Sequence, residues 1–257
     1  MDNPTVVFLH GFLGEPDEFK AVQDRLLCHS VSFRLPGHGI DAEQVSGGFA
    51  EYAAWFWHKI HAEHIQNFVI YGYSLGSRVS FACLSEQLKF TQMPESGRLC
   101  GIISESGNPG LSSKSEREKR LKCDYAWAER FSAEHINRVL DDWYRQGVFS
   151  DLSEEQRSEL VQKRSANNGI NLALVMRSLS LVVMPDYKNL IADVHIPFLY
   201  ISGNNDKKFT QLAETVKKFA NKNITAKGID KVGHNCHLFK PDAVSEIVNE
   251  WLQKKFI

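Results

Sequence analysis

The sequence predicts an α/β fold in which a mostly parallel sheet carries helices on both faces and a helical lid follows the strand near 101–105. Short apolar runs alternate with amphipathic stretches over 1–110 and 186–257, a pattern typical of parallel strands joined by helices. Between 111 and 185 the alternation stops and the pattern becomes helical. We therefore expect a core of 1–110 and 186–257 and a lid of 111–185.

The core elements follow from local composition. The strand candidates are short apolar runs at 5–9, 30–34, 68–73, 101–105, 197–202 and 224–229. Helices are predicted at 16–27, 50–64, 75–88, 209–221 and 241–255. The last of these begins at Pro241, whose fixed φ suits the first turn of a helix.

The predicted lid has the pattern of several helices. Ser115 with Glu118, and Ser153 with Gln156, have the spacing of a capping box at a helix start. The stretch 131–146 carries an apolar stripe at Ile136, Val139, Leu140 and Trp143. A helical block at this point of the chain would lie over the carboxyl ends of the strands, where open α/β sheets bind ligands.

Composition narrows the class of protein. The chain has 257 residues, a formal net charge of −1, 43% hydrophobic and 24% charged residues, so it gives no sign of nucleic-acid or bulk membrane-surface binding. The apolar run 6–9 is too short for a signal peptide or a membrane span. Five scattered cysteines without a C-x-x-C pair favour a reducing, cytoplasmic setting. The sequence carries no signal for a particular oligomeric state.

A Gly-x-Ser-x-Gly motif carries the strongest functional signal. Ser74 lies between Gly72 and Gly76, directly behind the apolar run 68–71 and before a stretch of helical spacing. This strand-turn-helix context is the nucleophile elbow of the α/β-hydrolase fold, in which the serine sits in a strained turn above the sheet. The flanking glycines are needed because side chains there would collide.

A serine at such a turn needs a partner that takes its proton, and the usual chain order is Ser, then Asp or Glu, then His. Asp206 follows the strand candidate 197–202, and His234 follows the last strand, so both would reach the same sheet edge. His234 would accept the Ser74 proton, and Asp206 would hold its tautomer. The rival acids Asp186 and Asp193 do not directly follow a strand; the rival base is His237, three residues past His234.

The loop after the first strand, 10–14, is the candidate for an oxyanion hole. In this fold one donor comes from such a loop and the other from the residue after the nucleophile, here the backbone N–H groups of Phe12 and Leu75. We expect structural turn roles for His10 and His38. The spacing of His58, His61 and His64 spreads the third ring around a helix, so a solvated face is favoured over a metal site.

Several segments together resemble one family. They are 10–14 (His-Gly-Phe-Leu-Gly), 35–39 (Leu-Pro-Gly-His-Gly), 72–78 (Gly-Tyr-Ser-Leu-Gly-Ser-Arg), 105–111 (Glu-Ser-Gly-Asn-Pro-Gly-Leu), 143–146 (Trp-Tyr-Arg-Gln), 164–169 (Arg-Ser-Ala-Asn-Asn-Gly), 206–209 (Asp-Lys-Lys-Phe) and 233–235 (Gly-His-Asn). This set resembles the 2-succinyl-6-hydroxy-2,4-cyclohexadiene-1-carboxylate synthases of menaquinone biosynthesis. The likeness runs from residue 10 to about 237.

The resemblance implies a lyase that uses a hydrolase-like triad without hydrolysing anything. A base would abstract a proton from 2-succinyl-5-enolpyruvyl-6-hydroxy-3-cyclohexene-1-carboxylate, and pyruvate would leave in a 2,5-elimination. Neither a cofactor nor a metal is implied, and the partner is a small-molecule tricarboxylate. The motif positions imply carboxylate-binding roles for Arg78, Arg120 and Arg164. Aromatic pocket positions fall on Tyr73, Trp143 and Phe149.

Three positions depart from the family pattern. Ser77 replaces a glycine after the elbow, Arg34 stands where an acidic residue usually precedes the Leu-Pro-Gly-His-Gly turn, and Gly147 replaces a common proline. None of the three is a predicted triad member.

Two other functions compete with the lyase. The same triad suits a serine acyl hydrolase, an esterase or thioesterase, which would need an apolar acyl channel in place of an arginine clamp. A ligand receptor without turnover is the other alternative, and the complete set of Ser74, Asp206 and His234 argues against it.

Overall fold

The computed structural model describes residues 3–40, 47–89 and 97–256. These residues form a six-stranded sheet in the order β2-β1-β3-β4-β5-β6, in which every pairing is parallel. The strands are β1 (Thr5–Leu9), β2 (Ser30–Phe33), β3 (Asn67–Tyr73), β4 (Arg98–Glu105), β5 (Phe198–Gly203) and β6 (Ile224–Ile229). Each predicted strand is confirmed, and the central strand β4 begins three residues earlier than predicted.

Helices cover both faces of this sheet, as predicted. The helices of the described residues are α1 (Lys20–Gln23), α2 (Phe49–Ala62), α3 (Leu75–Gln87), α4 (Lys114–Ala133), α5 (Ile136–Trp143), α6 (Glu154–Arg164), α7 (Gly169–Ser178), α8 (Lys188–Ala192), α9 (Lys207–Lys217), α10 (Cys236–Phe239) and α11 (Pro241–Phe256). The predicted helix 16–27 is shorter, a 3-10 turn at Pro16–Phe19 followed by α1.

The side-chain alternation of the strands explains the two-sided core. In β3, Phe68 and Ile70 join an apolar cluster with α2, α3 and α9, whereas Val69, Tyr71 and Tyr73 join the cluster under α1 and α11. Successive side chains of a strand point to opposite faces, so a strand covered on both sides must be apolar throughout. This is why the inner strands β1, β3, β4 and β5 are mostly apolar, whereas the partly buried edge strands β2 and β6 carry polar residues as well.

The chain between β4 and β5, all of which is described, forms helices α4 to α8 and no strand. We call residues 111–185 the insertion. Its first helix is capped by Ser113, whose side chain accepts from the Glu116 N–H, so the prediction that Ser115 and Glu118 form the capping box was wrong. Ser115 has the same motif spacing but lies inside the helix. The predicted capping box of Ser153 and Gln156 is confirmed at the start of α6.

The stretch 131–146 is divided between two helices, and the apolar stripe predicted within it lies wholly on the second, α5. Helix α4 ends at Ala133 and α5 begins at Ile136, with Val139 and Leu140 fully buried. These residues belong to a third apolar cluster, formed almost entirely by the insertion, that Leu13 from the loop after β1 also joins. The insertion therefore packs on the carboxyl-end loops of the sheet. None of the described helices is long and apolar enough to cross a membrane.

Candidate active site

The turn between β3 and α3 raises Ser74 above the sheet. Ser74 has φ 50° and ψ −100°, a backbone conformation that is strained for a residue with a side chain. A Cβ on Gly76 would lie 2.1 Å from the Leu9 carbonyl oxygen, and one on Gly72 would lie 2.5 Å from the Ser77 nitrogen. Both glycines are therefore required by close backbone packing, and the strand-turn-helix context of the motif is confirmed.

The structure brings the three predicted triad residues together. His234 Nε2 lies 3.3 Å from Ser74 Oγ, and His234 Nδ1 lies 3.0 Å from Asp206 Oδ2. The other oxygen of Asp206 accepts from the Phe209 N–H at the start of α9, which fixes the carboxylate. Because Asp206 faces Nδ1, Nε2 is left to take a proton from the serine hydroxyl.

The rival residues lie elsewhere. The Asp186 carboxylate pairs with Lys188 Nζ at 3.0 Å. Asp193 follows α8 and precedes β5, whereas Asp206 lies after the carboxyl end of that strand. His237 has its Nδ1 3.0 Å from both carboxylate oxygens of Glu105, so its ring is engaged by a different acid.

Aromatic rings surround His234 and limit its contact with water. The ring centroids of Phe209, Tyr73 and Phe149 lie 4.6, 5.4 and 5.9 Å from that of His234. Phe149 belongs to the insertion, so the insertion contacts His234, the general base of the triad, directly. Water exclusion of this kind strengthens the electrostatic interactions inside a site.

The predicted oxyanion donors border the same cavity. Phe12 and Leu75 both line it, together with Ser74. The loop that carries Phe12 is turned back by a Gly14 N–H to Gly11 carbonyl hydrogen bond of 3.0 Å and by a positive φ of 72° at Leu13. Phe12 and Leu75 therefore border the cavity beside Ser74, as the predicted oxyanion donors must.

The cavity above the triad has a volume of about 330 Å³. Its walls combine Ser74 and His234 of the triad with aromatic and polar residues of both the core and the insertion. The lining includes Tyr73, Arg78, Asn108, Arg120, Asp124, Trp127, Trp143, Gln146, Phe149, Ser180 and Lys208. The predicted pocket residues Tyr73, Trp143 and Phe149 are thus all present at the cavity.

Three cations meet in this cavity around one carboxylate. Burial and then the neighbouring Arg120 lower the pKa of the Arg78 guanidinium, while the Asp124 carboxylate opposes that shift. Burial followed by Arg120 lowers the pKa of the Lys208 ammonium. Like charges repel one another, and the three cations outnumber the two carboxylates that oppose these shifts, Asp124 and the triad's Asp206, so the cavity carries an excess of positive charge. Such a cavity favours an anionic ligand.

The elements that hold these cations differ. Arg78 lies one turn into α3, and its Nη1 donates to the Leu179 carbonyl at 2.5 Å. Arg120 is on α4, where its Nε lies 2.7 Å from Asp124 Oδ1. Lys208 is in the first turn of α9, with its Nζ 5.3 Å above the Phe209 ring. Core and insertion therefore both contribute charge to the cavity.

Arg164 is not brought into this cavity. It is absent from the described residues that line it, its side chain is 4% exposed, and its Nη2 forms an ion pair with the Glu18 carboxylate. This placement argues against the direct substrate contact that the family resemblance implied. The physical reason is the end of α6, which points Arg164 into the interior beside the 3-10 turn at Pro16–Phe19.

Two buried histidines have the turn roles that the sequence suggested. The N–H of Leu35 donates to His10 Nε2 at 2.9 Å, and His38 Nδ1 lies 3.1 Å from the Pro36 carbonyl. Desolvation lowers the pKa of both rings, to about 4 for His38. In the described ranges no three His, Cys, Asp or Glu side chains converge in a way that could hold a metal ion.

The three departures from the family pattern have local partners. Ser77 is buried and donates to the Gly72 carbonyl at 2.6 Å, which ties the two ends of the elbow together. Arg34 Nε lies 2.8 Å from Glu15 Oε2. Its charge is therefore paired with the residue that precedes the 3-10 turn at Pro16–Phe19. Gly147 borders the cavity, and a Cβ there would meet nothing within 4 Å.

Sequence reasoning missed two charged residues of the cavity, Lys208 and Asp124. Lys208 lies two residues after Asp206, within a segment that carried the resemblance, and this proximity to the triad acid was the available signal. Asp124 lies four residues after Arg120, the spacing at which opposite charges meet on a helix.

Comparison with known proteins agrees with this geometry. Residues 6–247 match the alpha/beta hydrolase family model. A 2-succinyl-6-hydroxy-2,4-cyclohexadiene-1-carboxylate synthase of Salmonella typhi is 36% identical over 251 residues, which cover 97% of this chain and 94% of that protein. The enzyme of the same name from Photorhabdus laumondii is 37% identical over 254 residues, covering 98% of this chain and 86% of that protein.

Solved structures show the same fold. MenH from S. aureus superimposes with a TM-score of 0.86 at 23% identity, covering 99% of this chain and 95% of its own. A thermophilic esterase from Thermogutta terrifontis superimposes with a TM-score of 0.80 at 20% identity, covering 100% of this chain and 92% of its own. The structural likeness extends to an esterase, whereas the two relatives from Salmonella typhi and Photorhabdus laumondii carry one name. The chain belongs to the alpha/beta hydrolase family and, within it, to the 2-succinyl-6-hydroxy-2,4-cyclohexadiene-1-carboxylate synthases.

Proposed function

We propose that this chain is the lyase of menaquinone biosynthesis that eliminates pyruvate from 2-succinyl-5-enolpyruvyl-6-hydroxy-3-cyclohexene-1-carboxylate. The observation that carries the proposal is the position of the triad, Ser74, His234 and Asp206, beneath a cavity with an excess of positive charge. A substrate with several carboxylates needs such a cavity, because a buried anion is stable only beside cations or hydrogen-bond donors.

The triad supplies the base. His234 takes the Ser74 proton through Nε2, and Asp206 stabilises the imidazolium that results. Ser74 Oγ then removes the ring proton next to the succinyl carbonyl. The electron pair of that C–H bond moves through the ring, and the bond between the ring carbon and the enolpyruvyl oxygen breaks. Pyruvate leaves as its enolate, which takes up a proton, and the ring becomes the diene.

The oxyanion hole stabilises the dienolate. In a proton abstraction next to a carbonyl, negative charge builds on that carbonyl oxygen. The backbone N–H groups of Phe12 and Leu75 are proposed to donate to it. The same two donors would serve a tetrahedral intermediate in a hydrolase, so they support the reaction centre and do not select the substrate.

The cations select the substrate. Arg78, Arg120 and Lys208 border the cavity from three different helices, so they can reach separate carboxylates of one ligand. Arginine binds a carboxylate through two parallel N–H bonds, which fixes its orientation as well as its charge. Asn108 and Gln146 add neutral donors at the cavity wall.

The insertion is proposed to act as the lid, with 111–185 as the lid and 1–110 and 186–257 as the core. It contributes Arg120, Trp143 and Phe149 to the cavity, and Phe149 packs against His234. A closed lid would exclude water from the dienolate, which water would otherwise protonate before pyruvate leaves.

A direct assay tests this function. The protein is incubated with the enolpyruvyl precursor, pyruvate is measured with lactate dehydrogenase, and the diene is followed by its absorbance. We expect pyruvate and diene to form in equal amounts. Rapid turnover of an aryl acetate without release of pyruvate would instead identify an acyl hydrolase.

The role of the cations gives a first prediction. Arg78→Met should lower kcat/KM for the tricarboxylate by roughly 10- to 100-fold, because a charge-assisted contact of about 1.5–3 kcal/mol is lost. Any activity on a neutral aryl acetate should stay nearly the same. Steady-state kinetics on both substrates check this, with Arg145→Met as the matched control, since Arg145 is exposed and pairs with Asp141. Equal losses on both substrates would give Arg78 a structural role.

A further inference from the structure

Glu105 and Ser106, at the end of β4, contact the two segments that carry the nucleophile and the base of the triad. The Glu105 backbone carbonyl accepts from the Ser74 N–H at 2.9 Å, so it helps to hold the strained elbow. The next residue, Ser106, donates through Oγ to the His234 carbonyl at 3.3 Å. The end of this central strand therefore lies between the turn that carries the nucleophile and the loop that carries the base.

The carboxylate of Glu105 is fully buried and has several donors. It accepts from the Tyr71 hydroxyl at 2.6 Å, from the His237 backbone N–H at 3.2 Å and from His237 Nδ1 at 3.0 Å. His237 lies in α10, three residues after His234. Its ring centroid is 4.5 Å from that of Tyr73, the residue before Ser74. Holding His237 therefore holds the loop on which His234 sits.

The far side of His237 faces a second buried carboxylate. His237 Nε2 lies 3.6 Å from Glu18 Oε2, and Glu18 Oε1 forms an ion pair with Arg164 Nη2. The side chains of Glu18 and Arg164 are each 4% exposed, and that of His237 is fully buried. The four side chains thus form one continuous interior row: Arg164, Glu18, His237 and Glu105.

The Arg164 end of this row belongs to the insertion. Arg164 is the last residue of α6, and its carbonyl accepts from Asn167 Nδ2 at 3.1 Å. Asn167 also donates to the Leu13 carbonyl at 3.2 Å and accepts from the Gly39 N–H at 2.8 Å. The turn after α6 is therefore fastened to the loop of the predicted oxyanion hole as well as to Glu18.

Charge explains why the row is a unit. Burial would raise the pKa of the Glu105 carboxyl, but the His237 ring, the Tyr71 hydroxyl and the His237 N–H outweigh burial and hold that pKa below its usual value. Burial lowers the pKa of Arg164 to about 10. Removing one partner of a buried ion pair leaves an uncompensated charge, whereas removing both is far less costly.

We propose that the row Arg164–Glu18–His237–Glu105 positions His234 for hydrogen bonding to Ser74. Through Arg164, this geometry then depends on the position of α6 in the insertion. Arg164 is then a positioning residue and not a substrate ligand. The inference rests on the proposed catalytic role of Ser74 and His234, but it is independent of which substrate the cavity takes.

A double-mutant cycle separates the two roles of Arg164. The proteins are wild type, Glu18→Gln, Arg164→Met and the double variant, with Arg120→Met alone and combined with Glu18→Gln as the matched control. We expect each of Glu18→Gln and Arg164→Met to lower kcat by roughly 10- to 100-fold with little change in KM. The double variant should be about tenfold more active than the poorer single variant, because no buried charge is left unpaired. Glu18→Gln should not rescue Arg120→Met.

A second readout does not use the substrate. A neutral fluorophosphonate reacts with Ser74 when Oγ attacks phosphorus, fluoride leaves and His234 takes the proton, so its rate reports triad geometry alone. The rate should fall in both single variants and recover in the double variant. If the protein labels normally but makes no pyruvate from the precursor, the lyase assignment fails and the positioning inference is still tested by the labelling rates.

Two results would overturn the inference. One is a normal Glu18→Gln enzyme together with a double variant no better than Arg164→Met. The other is an Arg164 variant whose KM rises tenfold or more while Ser74 labelling is unchanged, since a substrate ligand would behave in this way. If Arg164→Met does not fold, as judged by its thermal melting, Arg164→Lys replaces it. This variant keeps the charge, and we expect kcat and the labelling rate to fall together by a few-fold.

Discussion

Arg120 and Asp124 lie one turn apart on α4, and Nε of Arg120 is 2.7 Å from Oδ1 of Asp124 inside the cationic cavity. Asp124 is 2% exposed, and its second oxygen accepts from the Ser180 hydroxyl at 2.6 Å. A carboxylate within an anion-binding cavity would weaken binding if it only repelled the ligand. Here it holds one edge of the guanidinium and offsets the repulsion among Arg78, Arg120 and Lys208.

Asp124→Asn should therefore raise KM for the tricarboxylate by about tenfold, which corresponds to about 1.4 kcal/mol, while kcat changes little. The amide keeps the shape of the side chain but no longer orients Arg120 by charge. Steady-state kinetics measure this, and Ser180→Ala is the matched control because it removes only the hydroxyl that bonds Asp124. A lower KM in Asp124→Asn would mean that the carboxylate acts mainly by repelling the substrate.

The lowered pKa of Lys208 predicts a pH dependence of binding. Lys208 binds an anion only when protonated, and burial followed by Arg120 moves its pKa below the ordinary value of 10.5. KM for the tricarboxylate should thus be flat near neutral pH and rise as the pH increases through this lowered pKa, below 10.5. A bound carboxylate stabilises the charged form of Lys208, so the rise in KM reports the pKa of Lys208 in the enzyme without substrate.

Lys208→Arg is the control for this pH profile, because a guanidinium keeps its proton over a wider pH range than an ammonium. The variant should show a flatter dependence of KM on pH between neutral and mildly alkaline conditions. Identical profiles for the wild type and Lys208→Arg would exclude Lys208 as the titrating cation.

The end of β5 supplies a geometric prediction. A Cβ on Gly203 would lie 2.1 Å from the Gly233 carbonyl oxygen and 2.3 Å from that of Val232. Gly203→Ala should push the loop of His234 away from the strand, lower kcat by roughly tenfold or more and destabilise the fold by about 1–3 kcal/mol. Kinetics and thermal unfolding check both effects. Ser202→Ala, one residue earlier on the strand, adds no atoms and is the control; equal effects of the two changes would contradict the steric explanation.

The sequence predicted the sheet and the proximity of Ser74, Asp206 and His234 for a physical reason. The four inner strands β1, β3, β4 and β5 are mostly buried on both faces, so their apolar runs stand out. The elbow glycines are required by backbone contacts that few other residues tolerate. Chain order then placed Asp206 and His234 at the same sheet edge as Ser74, because parallel strands end together. These features depend on local sequence or on the topology of the fold.

The sequence could not show where each helix begins, in which direction a side chain points or which distant residue it contacts. The pattern at Ser115 and Glu118 fitted a helix start as well as that at Ser113 and Glu116, and only the course of the chain decides between them. The family resemblance implied that Arg164 binds a substrate carboxylate, yet the end of α6 turns its side chain toward Glu18. Pairing over such a separation in sequence leaves no periodic signal.

The central claim is that Ser74, with His234, is the base that starts the elimination. It is tested most directly by the initial rate of pyruvate release from the enolpyruvyl precursor with Ser74→Ala beside wild type. We predict a loss of roughly 10²- to 10⁴-fold in kcat. Binding of the diene product, measured by calorimetry, should stay within a few-fold of wild type, since the cations are untouched. A Ser74→Ala enzyme that keeps more than about a tenth of the wild-type rate would show that Ser74 is not the base.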